Sequence, residues 1–234
     1  MLPLSYIINL ISAAFCFFAA VNLYLSYRQS KSANVNDFFK AYLCLGLYYG
    51  TVALPGFFHD PSKVQIIFII TYIPGILSGA FLFRIAFRLL GRPSLSYYFI
   101  ILCYGIAIAV TILNIIYFAP AHIERSTDNL FFNWVEGTPL WLRIFIGSVI
   151  GLLIMGCSVV FSIGGFKSRG RDMRLKAFLV AGGLLGILLA VLFYFIIEAL
   201  FTGMTALILD LAATLFGPIG ILMMLIGIRH KGIM

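Results

Sequence analysis

The chain has 234 residues, of which 62% are hydrophobic and 10% charged. A soluble domain carries about a quarter charged residues, so a water-covered globular surface is excluded. The net charge of +8 does not point to nucleic acid either, because the basic residues sit in short loops rather than on one face. Continuous apolar runs of about 20 residues predict membrane-crossing helices, whereas barrel strands would alternate over about 10. The expected fold is therefore all-α: a polytopic membrane protein, with residues 1–234 forming a single seven-helix transmembrane domain.

In chain order, the first span is predicted over about Leu4 to Tyr27, carrying Asn9 and Asn22, and no cleavable signal peptide precedes it. A polar loop with Arg28, Lys31 and Asp37 leads to a second span, roughly Phe38 to Phe57. The turn from His59 to Lys63 breaks the chain at Asp60 and Pro61. A third span, about Val64 to Phe83, is expected to be interrupted at Pro74-Gly75 and to exit through Arg84, Arg88 and Arg92. The fourth runs from about Ser94 to Phe118 and carries Asn114 near its far end.

The longest loop, Ala119 to Leu140, mixes aromatic residues with Glu136 and Asn133. This composition suits a segment in the headgroup layer, with Trp134 and Trp141 at the interface. Spans five, six and seven are predicted over about Trp141 to Phe166, Lys176 to Phe201 and Met204 to Ile228. The four cysteines, Cys16, Cys44, Cys103 and Cys157, all fall in apolar runs and read as small buried hydrophobes.

Orientation follows from Lys and Arg on alternate sides. The loops after spans one, three and five, with the C-terminal end, hold thirteen of the sixteen. The opposite side has Lys63, Arg125 and Arg143. Positive loops stay inside, so the expected N-terminus is outside and the C-terminus cytoplasmic, in a bacterial-type inner membrane. Glycine pairs four apart (Gly46/Gly50, Gly75/Gly79, Gly147/Gly151 and Gly182/Gly186) favour close helix packing, within the bundle first and across a dimer second.

The candidate ligand-binding residues all belong to the outer half. Asp210 is expected about two turns into the last span, where an unpaired carboxylate costs at least about 2.5 kcal/mol. Glu198 lies near the outer end of span six and Arg143 at the start of span five; a pairing of Arg143 with either carboxylate competes with simple snorkelling to the interface. Asn114 and Tyr72 are expected in the same half, beside Pro74, which frees a backbone carbonyl. Together they outline an outward polar pocket for a small ligand. At the inner end, Lys167, Arg169, Arg171, Arg174 and Lys176 form a basic turn suited first to anionic lipid and second to a partner protein.

His59, His122 and His230 are scattered over both sides, so no metal site is predicted, and no cofactor motif occurs. Catalytic motifs of the nucleophile-elbow, zinc-protease and phosphate-loop kinds are also missing from the sequence. The runs "FRIAFRLLGRP" and "LDLAATLFGPIGILMMLIGIRH", in a chain of this size, resemble the seven-helix N-terminal sensor region of bacterial histidine kinases and diguanylate cyclases. That resemblance implies a sensory position for Asp210. With the sequence ending at Met234 and no kinase or cyclase following, it implies a signal passed to a separate subunit. The expected function is thus a non-enzymatic, sensor-like or accessory subunit working through partner membrane proteins. A small secondary transporter using Asp210 for ion coupling is the first alternative, and an intramembrane lipid-modifying enzyme the second.

Overall fold

A computed structural model describes residues 4–125, 132–168, 170–197 and 204–229. The described chain is built from seven α-helices: α1 Leu4–Ser30, α2 Ala33–Ala53, α3 Pro61–Leu89, α4 Pro93–Ile116, α5 Leu140–Lys167, α6 Arg171–Leu192 and α7 Met204–Arg229. Five of them, α1, α3, α4, α5 and α6, are long and apolar enough to cross a membrane. Side chains such as Phe15, Ile108, Leu152 and Phe166 are exposed on their outer surfaces, where water would penalise them and lipid would not. This is a multi-pass helical membrane protein.

Local chemistry sets the helix ends. Asp60 caps α3 by accepting hydrogen bonds from the backbone N–H groups of Ser62 (2.9 Å) and Lys63 (3.3 Å), and Pro61 takes the first helical position. Pro93 opens α4 in the same way, after Gly91 turns the chain with a positive φ of 71°. Against expectation, α3 is not interrupted at Pro74; it runs unbroken from Pro61 to Leu89. Proline deletes one N–H from the ladder, and flanking helical turns and neighbouring helices carry the helix through.

Sequential neighbours α1–α2, α2–α3, α3–α4, α5–α6 and α6–α7 pack together, and α3 also lies against α5. Glycines set the closest approaches. A Cβ placed on Gly183 would collide with the Gly220 carbonyl oxygen and sit 2.5 Å from Met224 Cγ and 2.8 Å from Met224 N, so α6 and α7 touch backbone to backbone. The four glycine pairs read from the sequence likewise meet side chains or backbone of this same chain: Gly46 meets Phe17, Gly79 meets Leu153, Gly147 meets Phe195 and Gly186 meets Gly220.

The basic loops gather charge at one end of the bundle. There the buried Asp37, 1% exposed, is paired with Arg88 Nη1 at 2.7 Å and Arg84 Nε at 3.6 Å. Arg88 also donates to Asn34 Oδ1 at 3.1 Å, tying the start of α2 to the end of α3. Arg88→Met is expected to lower stability by about 2 kcal/mol, the scale of a charge-assisted hydrogen bond lost from a buried carboxylate. Thermal unfolding in detergent checks this. Asp37→Leu combined with Arg88→Met should recover part of the loss, because no orphaned carboxylate is then left behind.

Of the basic turn, Lys167, Arg171 and Arg174 are exposed, and Arg169 lies outside the described residues. Lys176 corrects the expectation. It is 1% exposed and sits where α6 meets α7, its carbonyl oxygen 3.0 Å from the position a Cβ on Gly227 would occupy. It therefore belongs to the helix interface rather than to a lipid- or partner-facing patch. Helical phase explains the error: five residues past Arg171, Lys176 has rotated onto the inward stripe that continues through Val180, Gly183 and Leu184.

Candidate functional site

The loop between α4 and α5 has secondary structure of its own. It folds into an antiparallel hairpin, β1 His122–Arg125 with β2 Phe132–Val135, in the register Ile123 opposite Trp134. Trp134, expected at the interface, is buried in a small cluster with Tyr6, Val64, Phe68 and Ala121, and its backbone N–H donates to the Tyr6 hydroxyl at 2.7 Å. Trp141 stays half exposed and meets Tyr117 edge-on at 5.5 Å. The hairpin is thereby held down on the ends of α1 and α3.

The segment leaving β2 carries the centre of the site. Gly137 passes so close to the preceding loop that a Cβ would strike the Ala119 carbonyl oxygen and come within 2.7 Å of the Pro120 oxygen. Only glycine fits there, and its passage turns Glu136 and Thr138 inward. Glu136 is 5% exposed. Its Oε2 accepts a short hydrogen bond from the Tyr72 hydroxyl, and its Oε1 accepts one from Tyr194 at 2.9 Å. Two phenols thus solvate a carboxylate that no described Lys or Arg contacts as an ion pair.

Thr138 extends the network. Its hydroxyl donates to Asn114 Oδ1 at 2.9 Å, accepts from Gln65 Nε2 at 3.2 Å and lies 3.3 Å from the Tyr72 hydroxyl. Gln65 Oε1 in turn accepts from the Gly137 N–H at 2.8 Å, and Asn114 Nδ2 donates to the Val110 carbonyl at 2.9 Å. Arg143, buried at the start of α5, donates from Nη2 to the Tyr194 carbonyl at 3.1 Å. It is buried rather than snorkelling outward. Tyr194 belongs to a π-helical turn, Phe193–Ile197, that ends α6; such wider turns release carbonyls from the regular ladder.

Three of the five predicted site residues, Tyr72, Asn114 and Arg143, therefore converge on one polar cluster. Glu198 lies outside the described residues, and so does the side chain of Asp210, whose backbone belongs to α7. The carboxylate that the structure does place at the centre, Glu136, was read only as part of an interfacial loop. No motif or periodicity in the sequence marks Tyr194, Thr138 or Gln65. A glutamate between two tryptophans, Trp134 and Trp141, was the available signal.

Beside this cluster the helices line a partly open cavity of about 70 Å³. Its walls include Tyr6 and Asn9 of α1, Tyr49 of α2 and Ser78 of α3, with Trp134, Tyr194 and Phe195 toward the hairpin. One water needs about 10–15 Å³ by this measure, so the space holds several waters or one small organic molecule. Among the described residues no group of histidine, cysteine or carboxylate side chains could hold a metal ion.

Fold and site together define a class: a helical multi-pass membrane protein with a partly open cavity that Trp134 of the hairpin helps to line. Comparison with protein-family models, with curated proteins and with solved structures finds no match to this chain.

Proposed function

We propose that this protein is a non-enzymatic membrane sensor or accessory subunit that takes a small ligand in the partly open cavity beside the hairpin and acts through partner membrane proteins. One observation carries the reading: Glu136 and Thr138 clamp the hairpin to α3, α4 and the π-turn of α6 beside the cavity. A ligand that moves Tyr194 or Phe195 would pull on the hairpin and on α6 together, which is the differential contact a two-state switch needs. No described group in the cluster is set up as an activated nucleophile, and the tyrosine–glutamate pairs serve to hold position.

In this reading all seven helices span the bilayer, with the hairpin outside and the basic loops facing the cytoplasm of a bacterial inner membrane. Exposed Lys167, Arg171 and Arg174 would then meet anionic lipid or a partner's acidic surface.

Mild-detergent extraction followed by mass measurement on the intact particle tests the proposal. The expected particle contains this chain in fixed ratio with a second, different membrane protein. A particle of this chain alone, with uptake of a solute that Asp210→Asn abolishes, would replace the subunit reading with a small secondary transporter.

A further inference from the structure

We infer that the cavity's ligand is an uncharged apolar alcohol, held by Asn9 and Tyr49; this rests on the cavity being the ligand site of the proposed sensor. Asn9 and Tyr49 line the cavity and are 7% and 6% exposed. Neither side chain makes a hydrogen bond to any described residue, although most helical amides and hydroxyls nearby do, as Ser78 does to the Gly75 carbonyl at 2.8 Å. Ser5 stands beside them on the first turn of α1, is equally buried and likewise makes no hydrogen bond to a described residue. Buried polar groups are almost always satisfied, and an unmet donor or acceptor costs about 1–3 kcal/mol. Asn9, Tyr49 and Ser5, with the buried and unpartnered Trp134 indole N–H on the same wall, make a neutral polar subsite.

The rest of the wall sets the ligand's character. Leucine, isoleucine, valine and aromatic side chains of five helices surround the subsite, and no Asp, Glu, Lys or Arg stands among the described lining residues. Among the described lining residues an ion would find only neutral groups to replace its hydration. A pure hydrocarbon would leave the amide and hydroxyls unmet. A hydroxyl satisfies both conditions, because it donates to Asn9 Oδ1 while accepting from Nδ2 or from the Tyr49 hydroxyl. The volume limits the buried part to a small ring or short chain, and the membrane or the outer solution can supply either.

The two tryptophans make this measurable. Trp134 lines the cavity and Trp141 stands half exposed at the surface, so Trp141→Phe leaves a single reporter on the site. The full chain carrying Trp141→Phe is titrated with four probes of nearly equal size: benzyl alcohol, benzoate, benzylamine and toluene. The expected result is a saturable change in Trp134 emission with benzyl alcohol, and binding at least about ten-fold weaker for the other three, the scale of one or two lost hydrogen bonds. Asn9→Leu and the milder Tyr49→Phe should each weaken benzyl alcohol by about ten-fold while leaving toluene unchanged. Equal binding of benzoate or benzylamine overturns the inference. So does benzyl alcohol binding that is non-saturable or indifferent to Tyr49→Phe, a change too small to prevent folding. Such failure leaves the subunit reading intact if a partner still co-purifies, since that is read from particle mass and not from this titration.

Discussion

Glu136→Ala is expected to cost about 3–5 kcal/mol and to release the hairpin from the bundle. Glu136 accepts from both Tyr72 and Tyr194, and charge-assisted bonds of this kind contribute about 1.5–3 kcal/mol each when buried. Removing the carboxylate takes the shared acceptor from the buried Tyr72 and the part-buried Tyr194 and opens a gap between the hairpin exit and α3. Total stabilities of about 5–15 kcal/mol make that a large fraction of the whole. Glu136→Gln separates the chemistry from the shape, because it fills the same space, keeps one carbonyl acceptor and offers an amide that a tyrosine oxygen can accept. The loss should then fall to about 1–2 kcal/mol. Thermal unfolding followed by far-ultraviolet dichroism reads both, and an alanine variant as stable as the glutamine variant would remove Glu136 from the centre of the site.

The second large effect belongs to the α6–α7 contact. Gly183→Leu should abolish the folded bundle, because the new side chain would have to enter space held by the Gly220 carbonyl and the Met224 backbone. Overpacking of a flexible neighbour costs about 1–3 kcal/mol, but here the obstacle is helix backbone, so the helices must separate. The expected readout is loss of the monodisperse peak in detergent chromatography. Gly164→Leu is the control, since a Cβ there meets open space and should leave the peak unchanged. If both variants behave alike, close backbone approach is not what holds α7 in place.

These two cases also show what the sequence could carry. Helix existence was legible throughout, because apolar runs of spanning length leave few alternatives. The ends shifted by a few residues: α6 begins at Arg171 rather than near Lys176, so its basic residues divide between solvent and interface. Gly182 and Gly186 stand at four-residue spacing, yet the closest backbone-to-backbone contact of two helices among the described glycines is Gly183 against Gly220, a pairing across helices that one helix's spacing cannot encode.

The site was less legible, for a topological reason. Tyr72, Asn114 and Arg143 sit on three helices and could be placed in one half of the membrane by counting residues. Glu136 could not, because its burial depends on a hairpin of two four-residue strands anchored on Tyr6, 128 positions away from its partner Trp134. Such short strands carry almost no periodic signal. An aromatic, carboxylate-bearing loop between spans reads as interfacial until Gly137 is seen to turn it inward.

Hydrogen–deuterium exchange on the full chain tests the clamp most directly. Peptides covering 132–138 should be protected in the wild type to nearly the same degree as the helix ends beneath them. Glu136→Ala should strip that protection from the hairpin while α3 and α5 keep theirs, and the benzyl alcohol effect on Trp134 should vanish with it. A hairpin that exchanges freely in the wild type, or that stays protected without Glu136, would contradict the view that this buried carboxylate holds the hairpin on the bundle.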